Sequence, residues 1–269
     1  DGQPDTLKEV LVKIIASCAV SAIALFAVAN VHAAEAEKAN VTRVYTDTVA
    51  PADQVAYENA VKSYNKCLGS HGLKYTWTAL LHETGNTYMY SYLGGPYKWS
   101  DFDTMHTASK ACDETWRTEA NTHLQGETSS FLIALPELSH MPAAKDAVSA
   151  LLNVTFFTLK SSREADDAFT DGVKKIKEAA EKSKWSGHYT LYKTKGGGKD
   201  SPDYILVSPY KTWAEYGAGP DPAVWKMVEG AYGKQDSDAL RKSINDAIQD
   251  SSTHVDKYSA ELTYTASGK

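Results

Sequence analysis

Apolar and polar positions along the chain change rhythm in a regular order. Val41 to Thr48 alternates β-branched and aromatic residues with polar ones, which predicts a strand. Pro51 then opens a helix whose apolar face is Tyr57, Val61, Tyr64 and Leu68, and Gly69 and Gly72 stop it. Lys74 to His82 predicts a second strand, with Tyr75, Trp77, Ala79 and Leu81 on one face. After the turn residues Glu83 to Asn86, Thr87 to Leu93 predicts a third, with Tyr88, Tyr90 and Tyr92 on one face. Met105, Ala108, Cys112, Trp116, Ala120 and Leu124 keep helical period, and Ser130 to Leu135 predicts a fourth strand.

The order then begins again. Asn153 to Lys160 predicts a strand, and Phe169, Val173, Ile176 and Ala180 share a helix face. His188 to Thr194 and Tyr204 to Val207 predict strands joined by Lys195-Gly196-Gly197-Gly198-Lys199. That connector joins two strands, so it reads as a hairpin loop; a phosphate loop runs from a strand into a helix. Asp221-Pro222 predicts a helix start, Leu240, Ile244, Ala247 and Ile248 continue an apolar stripe, and Glu261 to Ala266 predicts the last strand. Short words recur as well. Pro96-Tyr97-Lys98 returns as Pro209-Tyr210-Lys211, and Asn40-Val41-Thr42 returns at the same offset as Asn153-Val154-Thr155. Two matches at one spacing point to an internal duplication.

Each run of elements is β-α-β-β-α-β, so the expected fold is α+β: two tandem ferredoxin-like repeats, residues 40–140 and 150–267. Packed sheet to sheet with helices outside, they would form a pseudo-dimeric α/β barrel. The order resembles the dimeric α/β-barrel superfamily, which includes antibiotic-biosynthesis-type monooxygenases, haem-degrading monooxygenases and chlorite dismutases. The shared motif is a strand exit of Trp-x-acid-aromatic type: Trp99, Asp101 and Phe102, echoed by Trp213, Glu215 and Tyr216. In such a half, the first helix ends and the second begins at one end of the sheet. That places Cys67 and Cys112 where a disulfide is geometrically allowed; two free buried thiols are the alternative. A barrel closed within one chain implies a monomer.

The first 33 residues differ in kind. Lys8 and Lys13 precede an uncharged run from Ile14 to Val31, followed by Ala33 and Ala36. This predicts a secretory signal peptide cut after Ala33, or after Ala36, with an uncleaved anchor as the alternative. The expected location is therefore periplasmic or secreted, with no membrane attachment after cleavage. The net charge of −6, without a Lys/Arg cluster, excludes a nucleic-acid surface.

Recognisable catalytic spacing is missing. The histidines show no HxH, HxxxH or HExxH pattern, so no metal site is expected from spacing, and no Gly-x-Ser-x-Gly elbow occurs. Asp101, Asp103, Asp166 and Asp167 sit at helix starts, where capping explains them. The aromatic content is the functional signal, with sixteen Tyr and six Trp. Arg43, Tyr45, Trp77, Tyr88, Tyr90, Tyr92, His188 and Tyr192 are the candidate lining of an amphipathic barrel cavity for a small apolar or aromatic ligand. The same rings packed as plain core are the competing reading. Two alternatives accompany the binding protein: a cofactor-independent monooxygenase-like enzyme, and a haem protein ligated by His188 or His123. A filled barrel would instead imply a structural or interaction role.

Overall fold

Among the described residues, eight strands pair edge to edge until no edge is left open. The computed structural model describes residues 38–141 and 149–266; the segment expected to be a signal peptide lies outside the described residues. The strands are β1 (Val41–Val49), β2 (Trp77–His82), β3 (Met89–Tyr97), β4 (Leu124–Ala134), β5 (Leu151–Leu159), β6 (Thr190–Lys195), β7 (Tyr204–Tyr210) and β8 (Ile248–Tyr264). Their order is β1-β3-β2-β8-β5-β7-β6-β4, and β4 returns to β1 to close an antiparallel barrel. Closure satisfies the backbone donors and acceptors that an open edge would expose. Within the circle, β4-β1-β3-β2 and β8-β5-β7-β6 have the same internal order, joined by the β2–β8 and β4–β6 seams.

Helices cover the outside. In the first half, α1 (Gln54–Ser70) buries Tyr57, Ala60, Val61 and Leu68. α2 (Phe102–Ser109) follows β3. In the second half, α3 (Arg163–Ser183) is capped by Ser162, whose side chain accepts from the Ala165 N–H. α4 (Trp213–Ala218), α5 (Val224–Tyr232) and α6 (Lys234–Ala247) complete that layer. α3 and α6 approach closely: a methyl built on Gly172 would lie 2.3 Å from Ile244 Cγ1. Among the described residues, no helix is long and apolar enough to cross a membrane.

Two expectations are corrected. The stretch from Met105 to Leu124 is not one helix. After α2 it passes through 3-10 turns, a short α-helical turn and a π-helical turn at Trp116–Ala120, and Leu124 already belongs to β4. Likewise Ile248 opens β8, so that strand begins well before Glu261. The polar residues at the start of β4 and β8 are exposed, so pattern alone reads them as helix or loop. Pairing with β1 and β5 is what makes them strand.

The halves echo one another in detail. Val49 pairs with Leu124 and Leu159 with Ile248, each just after a register shift. At the strand exits, Asp101 accepts from the Lys98 N–H at 2.9 Å and Glu215 from the Lys211 N–H at 2.6 Å. The rings of Tyr97 and Phe102 meet edge to face, as do those of Tyr210 and Tyr216.

Cys67 and Cys112 form a disulfide with Cα atoms 5.9 Å apart, tying the end of α1 to the segment after α2. Replacing both by Ser releases a closure across 45 residues of sequence and should lower unfolding free energy by on the order of 4 kcal/mol. An unchanged urea midpoint would contradict this. Gly172→Ala gains about 1 kcal/mol of helix propensity but overpacks Ile244 at a cost of roughly 1–3 kcal/mol. We expect a net loss, and a raised melting temperature would refute it.

Candidate functional site

Side chains alternate across a strand, so each strand contributes one set to the barrel interior and one to the helix layer. In β1, Val44 and Thr46 face inward, whereas Arg43, Tyr45 and Asp47 face the helices. The two helix layers are filled differently. Behind the second half, Phe169, Trp185, Met227, Val228 and Ile244 pack into one cluster. Behind the first, the broken segment after α2 cannot lay a continuous ridge on the sheet, and a cavity of about 500 Å³ remains. That volume suits a small organic molecule.

Its sheet wall carries Arg43, Tyr45, Asp47, Trp77, Tyr92, Glu127 and Phe131. Opposite stand Val61 and Tyr64 of α1, with Phe102 and Met105 of α2 and Trp116 of the broken segment. Tyr64 stacks on Trp77 at 6.0 Å and meets Trp116 at 5.1 Å, so one side of the cavity is a continuous aromatic wall. Burial raises the Tyr64 hydroxyl pKa to about 12, which keeps it neutral. The Arg43 guanidinium lies 4.7 Å from the Tyr45 ring centre and 4.3 Å from that of Phe131, and donates to Ser129 Oγ at 3.0 Å.

A buried polar network sits deeper. Tyr57 Oη donates to Asp47 Oδ2 at 2.5 Å and shares a 2.9 Å hydrogen bond with Tyr92 Oη. Asp47 Oδ1 accepts no hydrogen bond. Burial, joined by the charge and hydrogen bond of Glu127, raises the Asp47 pKa to about 7, against the opposing hydrogen bond from Tyr57. Asp47 and Glu127 are direct cross-strand partners. Burial likewise drives the Tyr57 and Tyr92 hydroxyls far above the ordinary phenol range, so both act as neutral hydrogen-bonding groups. A carboxyl that titrates near neutrality beside an aromatic cavity can accept or return a proton.

The sequence candidates divide accordingly. Arg43, Tyr45, Trp77 and Tyr92 come together, but in the sheet–helix layer rather than inside the barrel, because their strand positions are the outward ones. Tyr90 packs behind them, donating to Glu58 Oε1 and accepting from Gln54. Tyr88 is exposed just before β3. Tyr192 does face the barrel interior, where a second cavity measures about 1170 Å³. His188 stacks near His140, and His123 lies 3.8 Å from Asp53; neither lines either cavity. Asp47, Tyr57 and Glu127 were missed. A lone Asp in a strand alternating toward a helix face was the available signal for Asp47.

No protein-family model and no curated relative matches the sequence. Solved structures do match. An anthrone oxidase-like protein aligns at TM-score 0.55 and 11% identity, over 87% of this chain and 96% of its own. A candidate monooxygenase from Lactobacillus acidophilus NCFM aligns at TM-score 0.50 and 10% identity, over 85% and 97%. The fold is that of the dimeric α/β barrels. A chlorite dismutase mutant from Candidatus Nitrospira defluvii aligns at TM-score 0.50 and 11% identity, over 82% and 92%. At these identities the likeness concerns the α/β-barrel fold alone.

The raised Asp47 pKa has a signed consequence. Between its ordinary value of 3.8 and about 7, the native state holds one proton more than the unfolded chain. This carboxyl therefore makes stability fall as pH rises through that window, by up to roughly 1.4 kcal/mol per pH unit. Asp47→Asn should remove that contribution. Urea unfolding of wild type and variant from pH 4 to 7 checks it, and parallel stability curves would show Asp47 to be unperturbed.

Proposed function

We propose that the protein is an exported binder of a small aromatic molecule, held in the sheet–helix cavity of the first half. The observation that carries this reading is the cavity itself: aromatic walls on both sides, Arg43 at the sheet and a buried Tyr57–Asp47–Tyr92 network beyond. An apolar ring gains from burial against Trp77, Tyr64 and Trp116, and a hydroxyl or acid substituent finds Arg43 or Asp47. The disulfide supports export, since such bonds persist in oxidising compartments. The matching strand order, register shifts and strand-exit caps support a duplicated pair of ferredoxin-like halves. Closure within one chain supports a monomer.

A second reading rests on Asp47 Oδ1, a buried carboxylate oxygen on the cavity wall that accepts no hydrogen bond. Asp47 is suited to take a proton from an acidic C–H or O–H of the bound ring, leaving an anion that O2 can oxidise. For a ring methylene the balance is one O2 consumed, with a carbonyl and one water formed. The monooxygenase and oxidase names among the structural neighbours belong to the same reaction class. Haem is less well served by this cavity. Its wall contains one histidine, His106, which is exposed on α2.

Tryptophan fluorescence titrated with naphthalene and 1-naphthol tests the binding. Both should bind, and Met105→Trp, which fills the cavity, should abolish both while the fold persists. Arg43→Ala should weaken 1-naphthol roughly tenfold, the loss of one charge-assisted hydrogen bond, and spare naphthalene. Unchanged binding in Met105→Trp would place the ligand elsewhere. For the second reading, oxygen uptake with an acidic aromatic methylene substrate should fall by roughly 10²–10⁴-fold in Asp47→Asn; equal rates would remove Asp47 from the chemistry.

A further inference from the structure

The barrel interior contains a second constellation, separated from the aromatic cavity by the thickness of the sheet. His82 of β2 pairs directly across the seam with Asp256 of β8. His254 lies two residues from Asp256 and so projects from the same face of β8. All three are buried, at 8%, 9% and 3% exposure, and all three line the interior cavity. His254 Nε2 lies 3.0 Å from Asp256 Oδ1 and His82 Nε2 lies 3.6 Å from the same oxygen. The imidazole rings are stacked, with centres 4.2 Å apart. One ligand atom from each residue falls within 4.8 Å of the others.

We propose that His82, His254 and Asp256 form a binding site for a divalent transition-metal ion inside the barrel. Ligand atoms held about 2.0–2.2 Å from a tetrahedral ion lie roughly 3.3–3.6 Å from one another; the two imidazole–carboxylate separations, 3.0 and 3.6 Å, bracket that range, and all three atoms fall within 4.8 Å. Asp256 Oδ1 makes no aligned hydrogen bond although it is buried, and its ion-pair partners among the described residues are the two imidazoles. A carboxylate oxygen withdrawn from water needs a compensating positive charge, and a metal ion supplies it. His82 Nε2 shares a 3.0 Å hydrogen bond with Ser91 Oγ, which the ion would replace, and Ser91 Oγ keeps a 3.1 Å partner in Thr46 Oγ1. The Phe156 ring stands 5.2 Å from that of His254 and supplies an apolar flank.

Two imidazoles and one carboxylate in tetrahedral spacing suit Zn²⁺ or Co²⁺ over Ca²⁺ or Mg²⁺. Three protein ligands leave at least one position turned toward a cavity of about 1170 Å³, as in metal sites that bind a water or substrate. The other metal-like grouping, Cys67, His71 and Cys112, is not a competitor, because both sulfurs are consumed in the disulfide.

The test uses tag-free full chain, stripped with chelator and titrated with Co²⁺ while its visible absorption is followed. One equivalent should saturate an intense tetrahedral-type band, and Zn²⁺ should displace it. Zn²⁺ should also raise the melting temperature. His254→Gln and Asp256→Asn, confirmed folded by circular dichroism, should each weaken Co²⁺ binding at least tenfold. Should those variants fail to fold, the wild-type spectrum decides. The weak bands of an octahedral, water-ligated ion would overturn the site, as would no saturable binding. A band that survives intact in the folded variants would assign the metal to other histidines and also overturn it.

Discussion

Barrel closure is the constraint on which the rest depends. Each half presents a four-stranded sheet with β2 or β4, and β6 or β8, at its edges, and pairing β2 with β8 and β4 with β6 leaves none open. Backbone groups on a free edge would need water or another chain, and here they find each other. Closure also makes the two faces of every strand unequal. One face lines an enclosed interior and the other is covered by helices, so a shift of one residue in register would exchange the two sets completely.

That division explains why two cavities of different character coexist. The interior set mixes Val154, Ile205 and Leu132 with hydroxyl residues and the His82–His254–Asp256 group. The outward set of the first half is aromatic and meets α1. The second half shows what the same layer becomes when its helices are regular: α3, α5 and α6 fill it with large side chains. In the first half the broken segment after α2 is anchored by the Cys67–Cys112 bond while leaving space beneath it. The cavity is thus a consequence of irregular helix geometry, with the disulfide holding its wall against α1.

Polar groups placed in these layers are few, and burial dominates their chemistry. Asp47, at 1% exposure, would be expensive as an isolated carboxylate. The Tyr57 hydroxyl offsets part of that cost, and the rest appears as retained proton affinity. Tyr57 and Tyr92 stay neutral for the same reason. The network is therefore suited to sharing a proton with something in the cavity, which a surface carboxylate would not be.

The sequence by itself determined the element types through most of the chain, because strand and helix periods reflect local burial that repeats along each element. The strand-forming alternation in Val41 to Thr48 and the helical stripe of Tyr57, Val61, Tyr64 and Leu68 are legible on those grounds. The likeness to dimeric α/β barrels followed from their order. Alternation marks which residues share a face but not which way that face points, so it leaves open that Arg43, Tyr45, Trp77 and Tyr92 lie on the helix side of the sheet and not inside the barrel. Tertiary pairing alone made strands of Leu124 to Thr128 and Ile248 to Thr253, whose exposed polar residues carry no strand period. It also brought His82 against Asp256 across the β2–β8 seam, a contact between the first half of the chain and its end. Such encounters depend on register between distant strands, which local burial cannot encode.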